Sequence, residues 1–219
     1  MRHDGNRTAP ADLPIRCACG TVTGVLRGAT PQRGIHAVCY CDDCQSFAHF
    51  LGRPGDVLDE HGGTEVFQTS PARLEIETGA DKIALMRLRP KGLFRWYTSC
   101  CRTAIGNTLP NGRMPFVGLI HSCIAAGPAE RDAALGPVRA RVMSRYAKGD
   151  ISGLDADRKF PLTMIPRIAR VLLSARLRGD HKRSPFFAPD GAPVAEPLVL
   201  DAQQLGAVEK ARDEPRHDT

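Results

Sequence analysis

Seven of the eight cysteines in this 219-residue chain fall into three short groups: Cys17-Ala-Cys19, Cys39-Tyr-Cys41-Asp-Asp-Cys44 and Cys100-Cys101. Reduced thiols packed this densely suit a soft divalent cation, zinc above all. Cys17 and Cys19, followed by Gly20, form a knuckle in which the glycine is free to take the positive φ of a tight metal-binding turn. A knuckle joined to a remote cysteine pair such as Cys100 and Cys101 is a common way of stapling a small β domain with structural zinc. Because the ion binds only the folded arrangement, its binding free energy becomes folding free energy. Cys39, Cys41 and Cys44 form a second candidate site, one ligand short of a tetrahedron. A further cysteine, a water or a substrate thiol can complete it.

The chemistry open to such a site follows from its charge. Three thiolates on Zn²⁺ leave a net −1, so the ion is a poor Lewis acid for hydrolysis, yet it can bind and deprotonate an incoming thiol. Arg87, Arg89, Lys91, Arg95 and Arg102 lie close in sequence and could hold the carboxylates of a tripeptide thiol, although such a run is usually a solvated hairpin face. Asp42 and Asp43 are read as solvating or capping the cluster turn, and His36, His49 and His121 as packed or surface side chains. Cys123 reads as a small buried residue. A redox role for Cys41-x-x-Cys44 lacks the βαβ context it needs. Gly-x-Ser-x-Gly, Walker, dinucleotide and His-Glu-x-x-His motifs are missing.

Composition sets wide bounds. Hydrophobic residues make up 42% and charged residues 25%, ordinary for a globular protein, and the net charge of +6 favours anionic partners without choosing one. The polar opening Met1-Arg-His-Asp-Gly-Asn-Arg is unlike a secretory signal, and no apolar run approaches the roughly 20 residues of a membrane span. The expectation is a cytoplasmic protein whose cysteines are ligands rather than a disulfide framework.

The elements that must position these thiols are mostly short strands. Residues 1–14 read as a flexible leader, with order beginning at Ile15. Strands are expected at Ile15–Cys17, Thr21–Leu26, Ile35–Cys39, Glu65–Gln68, Arg73–Glu77, Ile83–Leu88, Leu93–Tyr97 and Pro115–His121, with Arg89-Pro-Lys-Gly92 as a hairpin turn. Cys44–Leu51 predicts a short helix. After Ala125 the pattern changes: Pro128–Leu135, Pro137–Lys148 and Thr163–Arg178 favour helices, the last with a stripe of Met164, Ile165, Ile168, Val171, Leu172 and Ala175. Ser184–Pro193 reads as an extended arm, and Glu209–Thr219 as a charged, frayed end. The division expected is a leader over 1–14, a zinc-binding β domain over 15–125, and a helical and extended region over 126–219 packing on it.

In the order Cys17-Ala-Cys19-Gly20, Cys39-Tyr-Cys41-Asp-Asp-Cys44, then Trp96-Tyr97 leading to Cys101-Arg-Thr103-Ala-Ile105, the chain resembles the GFA family. These are the glutathione-dependent formaldehyde-activating enzymes and their relative centromere protein V. The likeness runs from about Ile15 to Cys123 and suggests a bacterial branch with a C-terminal extension. It implies a mainly β, Mss4-like fold of small coiled antiparallel sheets stapled by zinc, with one structural site at Cys17, Cys19 and the late pair. Cys39, Cys41 and Cys44 would be the catalytic or substrate-thiol site, and the activity class would be a carbon–sulfur lyase acting on glutathione-type adducts of small aldehydes.

One departure bears on that reading. Family members end the aromatic strand in Cys-x-x-Cys-Gly, whereas this chain has Thr98-Ser-Cys100-Cys101-Arg102. Adjacent residues of a strand point to opposite faces. Either the backbone turns sharply and both thiols serve the Cys17/Cys19 site, or Cys100 points away and closes the Cys39/Cys41/Cys44 site. Spacing alone favours a structural ion at the second cluster, since closed sites outnumber catalytic ones in such modules. The resemblance favours a working one. The alternative to an enzyme is a zinc-stabilised scaffold or binding module whose basic C-terminal helix contacts a partner; nucleic acid is not expected.

Overall fold

A computed structural model of the protein describes residues 9–214. The fold is mainly β, with two sheets and a few helices. The order is β1 (Ala11–Arg16), β2 (Thr23–Ala29), β3 (Ile35–Cys39), α1 (Asp42–Phe50), α2 (Pro54–Val57), β4 (Thr64–Thr69), β5 (Leu74–Thr78), β6 (Ile83–Arg87), β7 (Phe94–Thr98), β8 (Ala104–Thr108), β9 (Val117–Ile120), α3 (Pro128–Leu135), β10 (Ala140–Val142), α4 (Ile165–Leu177), β11 (Pro197–Val199) and α5 (Ala202–Asp213). The smaller sheet has the order β1-β2-β5. The larger runs β10-β3-β4-β9-β8-β7-β6-β11.

Pairings from β3 to β9 are antiparallel, whereas β10 joins β3 and β11 joins β6 in parallel. The region after residue 126 thus supplies both outer strands of the larger sheet. This corrects the helix expected over 137–148. Ala140, Arg141 and Val142 pair with Ala37, Val38 and Cys39, and the main-chain groups of β3's outer edge outweigh local helix preference. Order also begins earlier than Ile15. Leu13 and Ile15 alternate inward along β1 while Asp12, Pro14 and Arg16 face out, so 11–14 are strand rather than leader. Pro14 is tolerated because β1 is an edge strand. Residues 1–8 of the expected leader, and 215–219 of the expected frayed end, lie outside the described residues; 209–213 are helical, in α5, whose start is fixed by a reciprocal Asp201–Gln204 capping box.

Two apolar cores flank the larger sheet. One brings Leu13, Ile15 and Leu26 of the smaller sheet together with Leu85, Trp96, Ile105 and Leu119. Phe186 stacks on Trp96 at 4.8 Å and Phe187 on Phe94 at 6.1 Å, so the proline-punctuated arm is anchored by two phenylalanines buried in this core. The other core seats α1, through Phe47, Ala48 and Leu51, on Val66, Met86, Ala104 and Ile120. That second contact sets the position of the cysteine turn preceding α1. The expected α4 stripe is seated only in part: Ala175 is fully buried, while Ile165 is exposed.

Candidate metal centres

All eight cysteines are free of disulfides. Cys17, Cys19, Cys100 and Cys101 gather with their sulfurs within 4.8 Å of one another. The knuckle is closed by Gly20 N–H donating to the Cys17 carbonyl at 2.9 Å and by Val22 N–H donating to Cys17 Sγ at 3.2 Å. Gly20 has φ +78°, as the turn requires. The second hairpin is tied on by Ala18 N–H donating to Thr103 Oγ1 at 2.9 Å.

Separations of 3.5 Å for Cys17–Cys19, 3.9 Å for Cys17–Cys100, 3.4 Å for Cys19–Cys100 and 3.8 Å for Cys100–Cys101 fit one tetrahedral ion. Zinc–sulfur bonds of about 2.3 Å put tetrahedral sulfurs roughly 3.8 Å apart. Adjacent cysteines can both face this point because the chain reverses between them and Thr103. Arg102 takes φ +56°, its N–H donates to the Thr98 carbonyl at 2.8 Å, and Thr98 N–H donates to the Thr103 carbonyl at 2.9 Å. Arg102 therefore occupies the left-handed position that a glycine would fill at least cost. It is held there by its Nη2 donating to the Phe50 carbonyl and its guanidinium lying 4.9 Å from the Phe50 ring centre.

Against its desolvation, hydrogen bonds from Thr103 and Thr98 pull the Cys101 thiol down to about 5, while burial and the neighbouring thiols push Cys100 up to about 12. Hydrogen bonds with Thr21 lower the Cys19 thiol as well, and bringing all four sulfurs together as thiolates needs a cation.

The second cluster, Cys39, Cys41 and Cys44, also has its sulfurs within 4.8 Å of one another. β3 ends at Cys39, Cys41 is the N-cap of α1, and Cys44 lies in the first helical turn. Cys44 N–H donates to Cys41 Sγ at 3.4 Å, and the positive end of the helix favours thiolate there. Buried Gln45 braces the turn by donating from Nε2 to the Tyr40 carbonyl at 2.7 Å and the Tyr146 carbonyl at 2.9 Å. No fourth cysteine joins this group. Cys100 is in the other cluster, and Cys123 is buried, its thiol donating to the Ile120 carbonyl at 3.1 Å.

Beside the second cluster stands Arg95 of β7, only 2% exposed. Its Nη1 lies 3.9 Å from Cys44 Sγ and donates to Asn107 Oδ1 at 3.2 Å, and its guanidinium sits 5.4 Å from the Phe47 ring centre. Among the described residues no carboxylate forms an ion pair with Arg95, and the negative charges acting on it are foremost the Cys44 and Cys41 thiolates, then Asp43. Hydrogen bonds from Cys39 and Cys41, with Arg95 nearby, hold Cys44 well below the usual thiol range, and Cys41 is pushed up by its two neighbours. Three thiolates and one divalent ion carry −1, which Arg95 balances. Both clusters therefore have donor sets that fit zinc.

The remaining expected residues are dispersed. Arg89 pairs with Asp43 and with Glu209 of α5, Arg87 lies over Phe94, and Lys91 is exposed in the hairpin turn. Only Arg95 of the basic run reaches the cysteines. Asp42 Oδ1 accepts from Asp43 N–H, a capping role. His36 is buried between the Gly136 carbonyl, 2.6 Å from Nδ1, and Glu65 Oε1, 2.7 Å from Nε2.

Residues 11–197 match the model of a family described as "Family of unknown function (DUF6151)". The chain belongs to that family. The DUF6151 match takes in all seven clustered cysteines, Arg95, and the chain through β10 to the first residue of β11, so the strands added late in the sequence lie within the family unit. A search of curated proteins found no match. Among the described residues no helix is long and apolar enough to cross a membrane.

Sequence reasoning missed Asn107, gave Thr98 and Thr103 no role at the cysteines, and saw Arg95 only as one charge in a run. The available signal was the alternation Phe94-Arg95-Trp96, which turns Arg95 to the face opposite the aromatic pair.

Proposed function

We propose that this DUF6151 protein is a GFA-like zinc protein in which Cys17, Cys19, Cys100 and Cys101 hold a structural ion and Cys39, Cys41 and Cys44 hold a working one. The observation that carries the reading is the accounting of thiols: Cys100 serves the first cluster, so the second is left with three cysteines and a coordination position for a substrate thiol. Zinc bound there would supply Lewis acidity enough to bring a glutathione-type thiol to its thiolate form near neutral pH. Arg95 offsets the site's negative charge and so eases the approach of another anionic sulfur. The reaction class in best accord with this is carbon–sulfur lyase chemistry on thiol adducts of small aldehydes, and a four-cysteine cluster shared by two hairpins accords with an Mss4-like arrangement of the sheets.

The test is metal content and coordination. Two zinc ions per chain are expected, one with four sulfur ligands and one with three, the latter gaining a sulfur when glutathione is added, as read by X-ray absorption. A second site with four sulfurs before any thiol is added would overturn the proposal.

A second reading, a zinc-stabilised binding module, is favoured by α4. Ile165, Leu173 and Leu177 are 49, 61 and 80% exposed beside Arg167 and Arg170. Under that reading the protein keeps two zinc ions and binds a partner, with no sulfur added by glutathione. Affinity for mixed-sequence DNA that falls steeply with salt would make the partner nucleic acid.

A further inference from the structure

Away from both clusters, a cavity of about 320 Å³ is lined by Gln32, Arg33, Ser70, Arg73, Ser174 and Arg178, with Val171 and Ala175 as its apolar wall. Three separate parts of the chain bring the cations together: the loop from β2 to β3, the turn between β4 and β5, and the end of α4. The guanidinium tips of Arg33 and Arg73 stand 2.6 and 3.5 Å from the point a Cβ on Gly28 would occupy, so the two like charges converge. Gly28 itself has φ +57°.

The arginines are unequally compensated. Arg178 and Arg183 both donate at 3.0 Å to the buried carboxylate of Asp180, which also accepts from Ser70 Oγ. Among the described residues the Arg33 guanidinium donates only to the Gly28 carbonyl, at 3.3 Å. The Arg73 guanidinium, half-buried, makes no hydrogen bond or ion pair with any described residue. Burial, and then the charges of Arg33 and Arg178, depress its pKa, as expected of a cation packed against cations. A half-buried, unpaired guanidinium beside others of like charge is unfavourable for the fold alone, and arrangements of that kind are characteristic of binding sites.

We propose that this cavity binds a small phosphate monoester, its dianion held by Arg33 and Arg73 with Arg178 and the Gln32 amide beside them. Two arginines that form no ion pair among the described residues match a doubly charged oxyanion, and planar guanidinium forks suit phosphate oxygens. The volume exceeds what a phosphate group needs. At about 30 Å³ per water it would hold roughly ten, leaving space for a sugar-sized organic group against Val171 and Ala175.

The experiment is calorimetric titration of the 219-residue zinc-loaded chain with inorganic phosphate, phenyl phosphate and malonate in a phosphate-free buffer of low ionic strength. One phosphate per chain is expected, with phenyl phosphate binding at least as well and malonate more weakly. Arg73→Gln should weaken phosphate by about tenfold or more, and Arg33→Gln should do likewise. Without phosphate, Arg73→Gln should melt no lower than the parent, since it removes a repulsive charge. Absence of binding to the parent, unchanged binding by both variants, or malonate equal to phosphate would overturn the assignment. So would an Arg73→Gln protein that melts well below the parent without ligand, which would make Arg73 a structural residue.

Discussion

Serine substitution at Cys100 and at Cys41 should separate the two clusters. A structural zinc site contributes on the order of 10 kcal/mol to folding in small modules, comparable to the whole net stability of a domain, about 5–15 kcal/mol. Cys100 lies 3.4 Å from Cys19 and 3.9 Å from Cys17, and the cluster joins the β1–β2 knuckle to the β7–β8 turn. If Cys100→Ser forfeits even a third of the metal's contribution, about 3 kcal/mol, the melting temperature falls by roughly 6–12 °C for a chain of this length. Cys41→Ser acts differently. The turn it sits in stays braced by Gln45, and α1 stays packed through Phe47 and Leu51. A serine oxygen is also a favourable N-cap, so that helix end keeps its acceptor. Beyond what the second ion itself contributes to folding, the expected loss is below about 1 kcal/mol, or roughly 2–4 °C. Native mass spectrometry should count one zinc fewer in each variant, and calorimetry should show the large shift only for Cys100→Ser. A Cys100→Ser protein with two zinc ions and a parental melting temperature would refute the assignment of that sulfur, and equal losses from both variants would refute the division of roles.

Other outcomes follow from single contacts. His36 has an acceptor at each ring nitrogen, and although burial lowers its pKa, the Glu65 carboxylate and the Gly136 carbonyl raise it overall. Its stabilising contribution is therefore complete below the unfolded-state value of about 6.5 and is lost as pH rises through the higher folded value. The melting-temperature gap between the parent and His36→Gln should narrow from pH 6 towards pH 9, and a gap that widens would contradict the protonated form. Phe186→Ala empties a site stacked on the fully buried Trp96 and should cost about 3–5 kcal/mol in urea unfolding; a loss under 1 kcal/mol would show the arm to be dispensable. Arg102→Gly relieves a positive φ worth about 1–2 kcal/mol while losing a guanidinium–ring contact worth about 0.5–1 kcal/mol and the hydrogen bond to the Phe50 carbonyl, worth about 0.5–1.5 kcal/mol. It should therefore be near neutral. Arg102→Ala keeps the strain, loses the contact and should be less stable by thermal melts, and the reverse order would refute this balance.

The parts of the fold legible in the sequence are those set by local pattern. Alternation marked β4 and β5, the Arg89-Pro-Lys-Gly92 turn marked β6 and β7, and the spacing of thiols marked both clusters. The helix after Cys44 was legible because Phe47, Ala48 and Leu51 share one face. What escaped was set by distant partners. Ala140–Val142 is too short to show a period and is a strand only because β3 has a free edge. Pro197–Val199 is bounded by proline and pairs with β6 across more than a hundred residues of chain. Arg95 looked solvated because charge is usually outside; its burial depends on β7 being an interior strand with α1 across one face. The geometry of Cys100 and Cys101 was open because arginine is a rare occupant of the left-handed region, and only the Phe50 contacts explain its presence there.

The outer strands of the larger sheet have a bearing on biosynthesis. β10 and β11 cover β3 and β6, so the two flanks of the sheet are finished by segments made well after the strands they pair with. Until then the nascent chain carries two unsatisfied rows of amide and carbonyl groups, templates for pairing with a neighbouring chain. Contacts so remote in sequence also make for slow closure. A fragment ending near residue 125 would retain every clustered cysteine yet leave both flanks bare, and its expected fate is self-association.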